Sequence, residues 1–224
     1  YRCVLSLRDP ENKEKYHDDD EMWNTAEDAL RHVLNDIGIE YTEEIGEAAF
    51  YGPKLDVNVQ PAIGNEITLS TCQLDFCLPA KFNLYYIDSN GEKKTPVVLH
   101  RAILGSLDRF MAYILEETKG NLPTWLAPVQ VKVLPISEKF ADYAKSVEDA
   151  LDAAGIRVET DNRAEKIGYK IREARNERVP YIIVVGEKDQ EANMVSLRSR
   201  KNGEEGQVAL ADFIARIKEE IDTK

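Results

Sequence analysis

Two segments in which apolar and polar residues alternate strictly constrain the fold of this chain most. They are residues 50–60 and 67–78. The apolar positions are Leu55, Val57 and Val59 in the first segment and Cys72, Leu74 and Phe76 in the second. Successive side chains of a strand point to opposite faces, so each segment predicts a long strand with one apolar face. Together they predict an antiparallel sheet that is buried on one side.

The polar faces of these two strands have two interpretations. Carboxylates, amides and hydroxyls in mid-sheet can form the floor of a polar ligand site. Alternatively the face simply meets water, as is common in antiparallel sheets. The segment Tyr51-Gly52-Pro53-Lys54 favours a site. Gly-Pro fixes an abrupt bend, and Lys54 follows it at the strand start, where it can reach a phosphate or a carboxylate.

A strand, a turn and a helix follow one another in residues 95–114. The apolar run Thr95–Leu99 predicts a buried strand that ends in His100, and Gly105-Ser106 then interrupts the chain before a helix. Ser106 can cap that helix, and Arg109 lies in its first turn. Because a helix N-terminus favours anions, an arginine there indicates a phosphate ligand. The alternative is an ordinary turn with Asp108 and Arg109 as a solvated pair, and helix physics alone does not decide between the two.

Further strands and one helix are expected in the first half. The alternating residues 1–7 predict a strand, and the apolar residues of Met22–Ile37 predict a helix that follows an acidic run. Ser89-Asn90-Gly91 predicts a hairpin that joins Asn83–Asp88 to Thr95–Leu99.

The second half has a different pattern of predicted secondary structure, which begins after the Gly- and Pro-rich residues 120–128. Strands and helices alternate there, which predicts a small sheet flanked by helices. The predicted strands are Val129–Leu134, Arg157–Thr160, Tyr181–Val185 and Met194–Arg200, and the predicted helices are Glu138–Ala154, Glu165–Arg178 and Leu210–Ile221. The whole chain is therefore expected to be α+β, with a domain boundary near residues 120–128.

Charge and cysteine content exclude some classes of protein. The net charge is −12, and residues 1–124 carry 12 Lys and Arg against 22 Asp and Glu, whereas residues 125–224 carry 17 against 19. Overall acidity argues against a general nucleic-acid coat protein but leaves room for a local basic patch. Three cysteines give no disulfide framework, which fits a cytoplasmic protein. No apolar run approaches the roughly 20 residues of a membrane span.

The candidate metal ligands do not form an obvious set. Cys72 and Cys77 are five residues apart on one predicted strand, so they point to opposite faces and are better explained as core residues. His17 and His32 are not at ligand spacing. His100 alone is most simply a residue at the rim of the sheet.

A basic helix lies in the second half, over residues 163–178. Its cations are Arg163, Lys166, Lys170, Arg172, Arg175 and Arg178, and they are interspersed with Glu165, Glu173 and Glu177. Next to an open sheet these cations could bind an RNA loop through its phosphates and exposed base edges. The alternative is a surface helix with salt bridges along its side.

Taken together, these residues resemble the threonyl-tRNA synthetase family over nearly the whole chain. The most specific segments are Phe50–Lys54, Gln73–Phe76, His100–Phe110, Pro123–Pro128 and Glu165–Arg172. The resemblance implies the second part of a class II catalytic domain in residues 1–122 and a connector in residues 123–128. It also implies a complete α/β anticodon-binding domain with a mixed sheet in residues 129–224.

The resemblance also implies roles for residues of the first half. Residues 100–116 would be class II motif 3, in which Ser106 and Arg109 contact ATP together with Mg²⁺. His100 would be one of three protein ligands of a Zn²⁺ ion that binds the amino and hydroxyl groups of threonine. Tyr51 and Gln73 would line the threonine pocket, and Lys54 would lie near the adenylate and the tRNA end. Motif 3 usually carries Glu-Arg, and here Asp108 replaces the glutamate.

In the second half, four residues are expected to contact RNA: Lys166 and Arg172 of the basic helix, and Asp189 and Arg198, whose roles the resemblance implies. Arg198 occupies the position at which the family binds an anticodon base, and Asp189 occupies a position where a glutamate is frequent. Ala164 stands where some members have an asparagine that contacts the anticodon, so that contact is not expected.

The implied activity is ATP-dependent activation of threonine and its transfer to tRNA-Thr by a homodimeric cytoplasmic enzyme. Motifs 1 and 2 and the other two zinc ligands of the family would precede Tyr1, so the isolated chain is expected to be inactive. Two alternatives stay open at this point. One is a non-catalytic RNA-binding or regulatory protein with the synthetase fold, and the other is a related class II synthetase for proline, glycine or histidine.

Overall fold

The computed structural model describes residues 1–223, which divide into two compact units, residues 1–117 and residues 118–223. Both units combine a five-stranded mixed sheet with helices, as the α+β prediction required. Among residues 1–223, no helix combines the length and the apolar composition that a membrane span needs.

The first unit has seven strands and three helices. The strands are β1 (Arg2–Leu7), β2 (Tyr41–Ile45), β3 (Lys54–Val59), β4 (Ile67–Asp75), β5 (Tyr86–Ile87), β6 (Lys93–Lys94) and β7 (Val98–Ala102), and the helices are α1 (Asp20–Asp36), α2 (Leu78–Lys81) and α3 (Leu107–Thr118). The main sheet has the order β2-β1-β3-β4-β7. Its strands pair antiparallel except for β1 and β2, which are parallel.

Helix α1 covers the apolar face of this sheet. It begins after Asp19, whose carboxylate accepts a hydrogen bond from the Met22 N–H (3.0 Å). Trp23 is fully buried and meets Phe76 edge-to-face at a centroid distance of 5.5 Å. The Trp23 Nε1–H donates to the His17 carbonyl at 2.8 Å. One aromatic side chain therefore ties α1 both to the end of β4 and to the segment that precedes the helix.

Two predictions for the first unit were wrong in detail. The hairpin around Asn90 pairs β5 with β6, so the partner of Tyr86–Ile87 is Lys93–Lys94 rather than Thr95–Leu99. The strand expected at Thr95–Leu99 begins at Val98 and is not buried, with Leu99 63% exposed. The physical reason is its place in the sheet: β7 is an edge strand paired only with β4.

The second unit is a sheet with helices on both faces. Its strands are β8 (Val131–Pro135), β9 (Val158–Thr160), β10 (Tyr181–Val185), β11 (Met194–Ser199) and β12 (Gly203–Ala209), and its helices are α4 (Ala141–Ala153), α5 (Ile167–Asn176), α6 (Glu187–Ala192) and α7 (Leu210–Thr223). A single 3-10 turn, Glu138–Phe140, precedes α4. The strand order is β12-β11-β10-β8-β9, parallel for β10-β8-β9 and antiparallel for the other pairs.

Each face of this second sheet has its own apolar cluster. On one face α4 and α7 contribute Leu151, Phe213 and Ile217 to a core with β8, β10 and β11. On the other face α5 packs Ala174 against Leu134 and Ile182. The alternation of buried residues along β11 follows from this arrangement, because Val195, Leu197 and Ser199 face the α4–α7 side.

Candidate active site

The polar face of the first sheet brings together residues from three neighbouring strands. The strand register places Lys54 of β3 opposite Gln73 of β4, and Gln73 opposite His100 of β7. Residues opposite one another in an antiparallel pair share a face, with Cβ atoms about 5 Å apart. The three positions that were proposed separately from sequence therefore form one row across the sheet.

Tyr51 lies over this row. Its hydroxyl donates a hydrogen bond to Gln73 Oε1, and its ring meets the His100 ring at a centroid distance of 5.5 Å. Burial, together with the negative charge of Asp75, raises the pKa of Tyr51. The phenol therefore stays protonated at neutral pH, so Tyr51 offers a hydroxyl and an aromatic face to a ligand.

Gly52 fixes the position of Tyr51 through a very close backbone contact. A Cβ atom at residue 52 would lie 1.9 Å from the Leu74 carbonyl oxygen. The Leu74 N–H also donates to the Pro53 carbonyl at 3.0 Å. Only glycine permits this approach, and the segment that carries Tyr51 and Lys54 is thereby joined to β4.

Lys54 is paired with a buried carboxylate. Its Nζ lies 2.5 Å from Asp56 Oδ2, on the same face of β3, and Asp56 is only 6% exposed. A buried charge needs such a partner, and the pair holds the ammonium group of Lys54 close to the sheet. The alternating pattern of β3 places Asp56 on the polar face, but it does not predict the pairing of Asp56 with Lys54.

His100 also contacts a buried carboxylate. His100 Nε2 lies 2.8 Å from Asp75 Oδ2, and Asp75 is 1% exposed. The His100 side chain itself is 44% exposed, so part of its ring remains accessible. Within residues 1–223, no three His, Cys, Asp or Glu side chains are arranged to hold a metal ion. The structure therefore offers one candidate zinc ligand with a carboxylate partner.

The turn after β7 carries the candidate phosphate-binding residues. Gly105 has φ +63°, and a Cβ atom there would lie 2.9 Å from the Leu69 carbonyl oxygen of β4, so the turn also passes close to the sheet. Ser106 directly precedes α3, and its carbonyl accepts the Phe110 N–H at 3.0 Å. Arg109 is exposed in the first turn of α3. The turn thus lies near the start of β4, while Gln73 and Asp75 lie near its end.

In the second unit, Arg198 and α5 share one face of the sheet. Arg198 of β11 is opposite Ile182 of β10, and Ile182 packs in the cluster with Ala174 of α5. The Arg198 guanidinium contacts Glu204 Oε2 at 2.5 Å. Arg198 is therefore held at the surface next to α5 rather than inserted into the core.

The cations in α5 and in the segment before it are either exposed or bound to other groups of the protein. Lys166 and Arg172 are exposed, and the Arg172 guanidinium lies 5.4 Å from the Tyr169 ring centroid. Lys170 is instead buried and donates to the Pro135 and Asp161 carbonyls. Arg163 forms ion pairs with Asp161 and Glu173. Ion pairing thus engages Arg163, which precedes α5, while Lys166 and Arg172 remain available to a ligand.

Asp189 is engaged inside the protein. Its carboxylate accepts hydrogen bonds from the Gly186 N–H (3.0 Å), the Ser196 hydroxyl (2.7 Å) and the Gln207 amide (2.8 Å), and the residue is 6% exposed. The Gly186 bond closes the first turn of α6. This geometry gives Asp189 a structural role next to Arg198, since Ser196 and Arg198 lie on the same face of β11.

Two family models match the two units. One, described as the tRNA synthetase class II core domain (G, H, P, S and T), matches residues 10–118, and one described as the anticodon binding domain matches residues 130–220. These matches define a segment of a class II aminoacyl-tRNA synthetase, consisting of core and anticodon-binding domain.

Sequence relatives make the assignment narrower. Threonine–tRNA ligase of Clostridium perfringens is 55% identical over 217 residues, which cover 97% of this chain and 34% of the relative. That of Staphylococcus aureus is 51% identical over 225 residues, covering 100% of this chain and 35% of the relative. This chain belongs to the threonyl-tRNA synthetase family. It spans about a third of the length of these curated relatives.

Solved structures agree with this assignment. The RNA binding domain of threonyl-tRNA synthetase from Cryptosporidium parvum superposes with a TM-score of 0.86 at 39% identity, covering 97% of this chain and 54% of that chain. Prolyl-tRNA synthetase from the same organism gives a TM-score of 0.61 at 24% identity over 77% of this chain, which shows a shared fold alone. The alternative of a proline, glycine or histidine synthetase is therefore set aside in favour of the threonine family.

Proposed function

We propose that residues 1–122 form part of the active site of a threonine–tRNA ligase, which activates threonine with ATP and transfers it to tRNA-Thr. The observation that carries this proposal is the row Lys54–Gln73–His100 with Tyr51 over it. The row combines a cation, an amide, an imidazole and a phenol, which suit the carboxylate, amino and hydroxyl groups of an amino acid. The family relationship supports the choice of threonine.

In this proposal Tyr51 and Gln73 form the wall of the threonine pocket. Their mutual hydrogen bond fixes both groups before a substrate arrives, which reduces the entropy cost of binding. Lys54 supplies positive charge in the same row, where it would lie near the adenylate and the tRNA end. Asp56 keeps the ammonium group in place.

His100 is the one candidate in the described part of the chain for binding the Zn²⁺ ion that the family implies. Its Nε2 is bonded to Asp75, and Nδ1 is the ring nitrogen left for a ligand. No group of three ligating side chains occurs among residues 1–223, so His100 would need ligands from elsewhere to complete a zinc site. A bound zinc ion would engage the threonine hydroxyl, and an isosteric valine would leave that coordination position empty.

Ser106 and Arg109 are proposed to contact ATP, with Mg²⁺ bound to its phosphates. The exposed guanidinium of Arg109 in the first turn of α3 lies where the helix N-terminus already favours negative charge. A guanidinium there can form paired hydrogen bonds with phosphate oxygens and stabilise the charge that develops during adenylate formation.

Residues 129–224 are proposed to bind the anticodon of tRNA-Thr, and residues 123–128 to connect them to the catalytic part. Lys166 and Arg172 supply exposed cations on the α5 side of the sheet, and Arg198 supplies a half-buried one. Asp189 acts indirectly in this proposal, by holding Ser196 and α6 next to Arg198. The parent enzyme is proposed to be a cytoplasmic homodimer, as the resemblance implies.

The anticodon proposal is tested by titrating residues 1–224 with tRNA-Thr and with tRNAs of other anticodons at fixed salt. Arg198→Ala should weaken tRNA-Thr binding by roughly 5- to 150-fold, corresponding to about 1–3 kcal/mol for a base contact. Glu204→Gln should strengthen it, because Arg198 loses its competing partner. Lys145→Ala, on α4 at the opposite face, is the matched control. Equal affinity for all anticodons would contradict this part of the proposal.

Residues 1–224 alone are proposed to be catalytically inactive, because they span a third of the relatives and hold no three-ligand metal group in the described residues. Threonine-dependent exchange between pyrophosphate and ATP should remain at background. Robust exchange with threonine would overturn the inactivity, and it would then be repeated with Arg109→Ala, which should abolish it.

A second candidate function is a non-catalytic RNA-binding protein with the synthetase fold. The observation that favours it is the second unit, which has a closed core and exposed cations of its own. Anticodon-specific tRNA binding without any threonine or ATP binding at the first unit would support this candidate. Saturable binding of a non-hydrolysable threonyl-adenylate analogue, lost in Tyr51→Ala, would support the enzyme.

A further inference from the structure

Asp75 combines burial with two separate sets of hydrogen bonds. It is the last residue of β4 and is 1% exposed. Its Oδ1 accepts the backbone N–H groups of Cys77 (3.1 Å) and Leu78 (2.9 Å), at the start of α2. Its Oδ2 lies 2.8 Å from His100 Nε2. One carboxylate thus joins the end of β4, the start of α2 and the exposed imidazole of β7.

The two oxygens of Asp75 are not interchangeable. Oδ1 is held by two backbone N–H groups, which can only donate hydrogen bonds. Oδ2 is therefore the oxygen that faces His100. An ionised carboxylate only accepts hydrogen bonds, so His100 Nε2 must carry the proton of this bond. In the neutral imidazole, Nδ1 is then the nitrogen with a free lone pair.

We propose that Asp75 is a positioning residue that holds His100 in the Nε2–H tautomer and presents Nδ1 to a ligand on the polar face of the sheet. Metal-binding histidines generally donate their second ring N–H to a carboxylate or a carbonyl, which fixes both the tautomer and the ring orientation. The functional meaning of this inference rests on the proposed role of His100 as a metal ligand. The tautomer itself does not.

Asp75→Asn is the variant that separates positioning from simple packing. The asparagine keeps the size of the side chain, and the Cys77 and Leu78 N–H groups require its carbonyl oxygen at the Oδ1 position. Its NH₂ group then faces His100 Nε2, which must become an acceptor. The variant is therefore expected to convert His100 to the Nδ1–H tautomer, with the lone pair on the wrong nitrogen.

The experiment is ¹⁵N NMR of histidine side chains in residues 1–224 at about pH 8.5, well above the ordinary pKa of imidazole. His100→Gln assigns the His100 signals among the three histidines. The wild type should show mainly Nε2–H, and Asp75→Asn mainly Nδ1–H. Asp88→Asn is the matched control, because Asp88 Oδ1 also accepts two backbone N–H groups but faces no histidine.

A second measurement needs no variant and covers the case in which Asp75→Asn does not fold. The Nε2 proton of His100 should be visible and slow to exchange in the wild type. His32 is the internal reference, since it contacts Asp36 at 3.3 Å but is 77% exposed. A His100 proton that exchanges as fast as that of His32, or an unchanged tautomer in folded Asp75→Asn, would overturn the proposal.

Titration with Zn²⁺ alone distinguishes this inference from the proposed function. Zn²⁺ should perturb the Nδ1 signal of His100 in the wild type, and Asp75→Asn should need roughly 10–100 times more Zn²⁺ for the same change. If His100 has the expected tautomer but does not respond to Zn²⁺ at all, zinc binding by His100 within residues 1–224 fails while the positioning by Asp75 stands. If the wild type and Asp75→Asn respond equally, the positioning role fails.

Discussion

The two units differ in how completely their sheets are covered. In the second unit, helices pack on both faces, and each face has a buried apolar cluster. In the first unit, α1 covers one face, the other face is polar and partly exposed, and α3 has no buried residue. A sheet covered on both faces gains stability from two buried apolar clusters. A sheet with one open face buries less apolar surface, but its polar groups stay accessible to a ligand.

The first unit also exposes much of its apolar surface in one stretch, residues 82–115. The exposed side chains are Phe82, Leu84, Tyr85, Tyr86, Ile87, Val97, Leu99, Ile103, Leu104, Leu107, Met111 and Leu115. Large apolar patches on a soluble protein are typical of surfaces that contact other protein. The unit with the candidate active site therefore exposes many more large apolar side chains than the second unit, where Trp125, Ile136 and Tyr169 are exposed.

The largest expected effect is that of Trp23→Ala on the first unit. Trp23 is fully buried and joins α1 to Phe76, so its loss should lower the free energy of unfolding of this unit by about 4 kcal/mol. The chain has two tryptophans, and the remaining Trp125 lies in the second unit. The urea midpoint of the second unit, followed by Trp125 fluorescence, should be unchanged. The first transition seen by circular dichroism should move to a lower urea concentration. A shift of the Trp125 midpoint would show that the two units do not unfold independently.

The next effect compares a buried leucine with an exposed one. Leu151→Ala in α4 removes a fully buried side chain and should lower the stability of the second unit by about 3 kcal/mol. Leu115→Ala in α3, where Leu115 is 45% exposed, should change the first unit by less than about 0.5 kcal/mol. Both stability changes follow from the shift of the urea midpoint, provided that the dependence of the unfolding free energy on urea concentration is unchanged. Similar losses for the two variants would show that α3 is covered in solution.

A third, smaller effect concerns acid stability of the second unit. The hydrogen bond from Arg163 is the main reason that the pKa of Asp161 is lowered to about 2. A lowered folded-state pKa contributes stability that is present above the unfolded value near 4 and is lost as pH falls towards 2. Arg163 is exposed, so Arg163→Gln should lower the stability of the second unit only modestly at neutral pH. The difference between variant and wild type should shrink as pH falls from about 4 and disappear below about pH 2, and a constant difference over that range would exclude this cause.

The smallest effect has the opposite sign and lies in the first unit. Burial raises the pKa of Glu27, whose Oε1 accepts the Arg8 N–H at 3.1 Å. A raised folded-state pKa contributes stability that is present at low pH and is lost as pH rises through the folded value. Glu27→Gln keeps the hydrogen bond without the charge and should stabilise the first unit at pH 7 by up to about 0.5 kcal/mol. The gain should vanish near pH 4, and a loss at pH 7 would contradict the prediction.

Much of the fold could be predicted from the sequence, because a strand or helix with one buried face has apolar residues at regular intervals. The observed β3, β4 and β10 lie within the segments 50–60, 67–78 and 181–185 that their patterns indicated. Strand β2 gives no such signal, because the burial of Tyr-Thr-Glu-Glu-Ile does not alternate and the strand pairs with β1 alone. The burial of β7 was also mispredicted, since an apolar run does not reveal whether anything covers it.

The candidate site could be predicted only in part, for a reason of register. Tyr51, Lys54, Gln73 and His100 carry recognisable motifs, and the strand pairing brings them together. The sequence pattern places Asp75 on the polar face of β4 and within the specific segment Gln73–Phe76, but it assigns Asp75 no role. Its contact with His100 depends on which residues of β4 and β7 face each other. The two residues are 25 positions apart, and the sequence does not predict that register.

The absence of a side chain at residue 52 restricts how a pocket of this kind can change over evolutionary time. Any other residue there would force a backbone carbonyl aside by more than an ångström, since 1.9 Å is far below the normal contact distance. Gradual enlargement of the loop by single substitutions is thus blocked at its narrowest point. New substrate preferences on this scaffold must arise through the groups that touch the substrate, while the backbone beneath them is inherited unchanged.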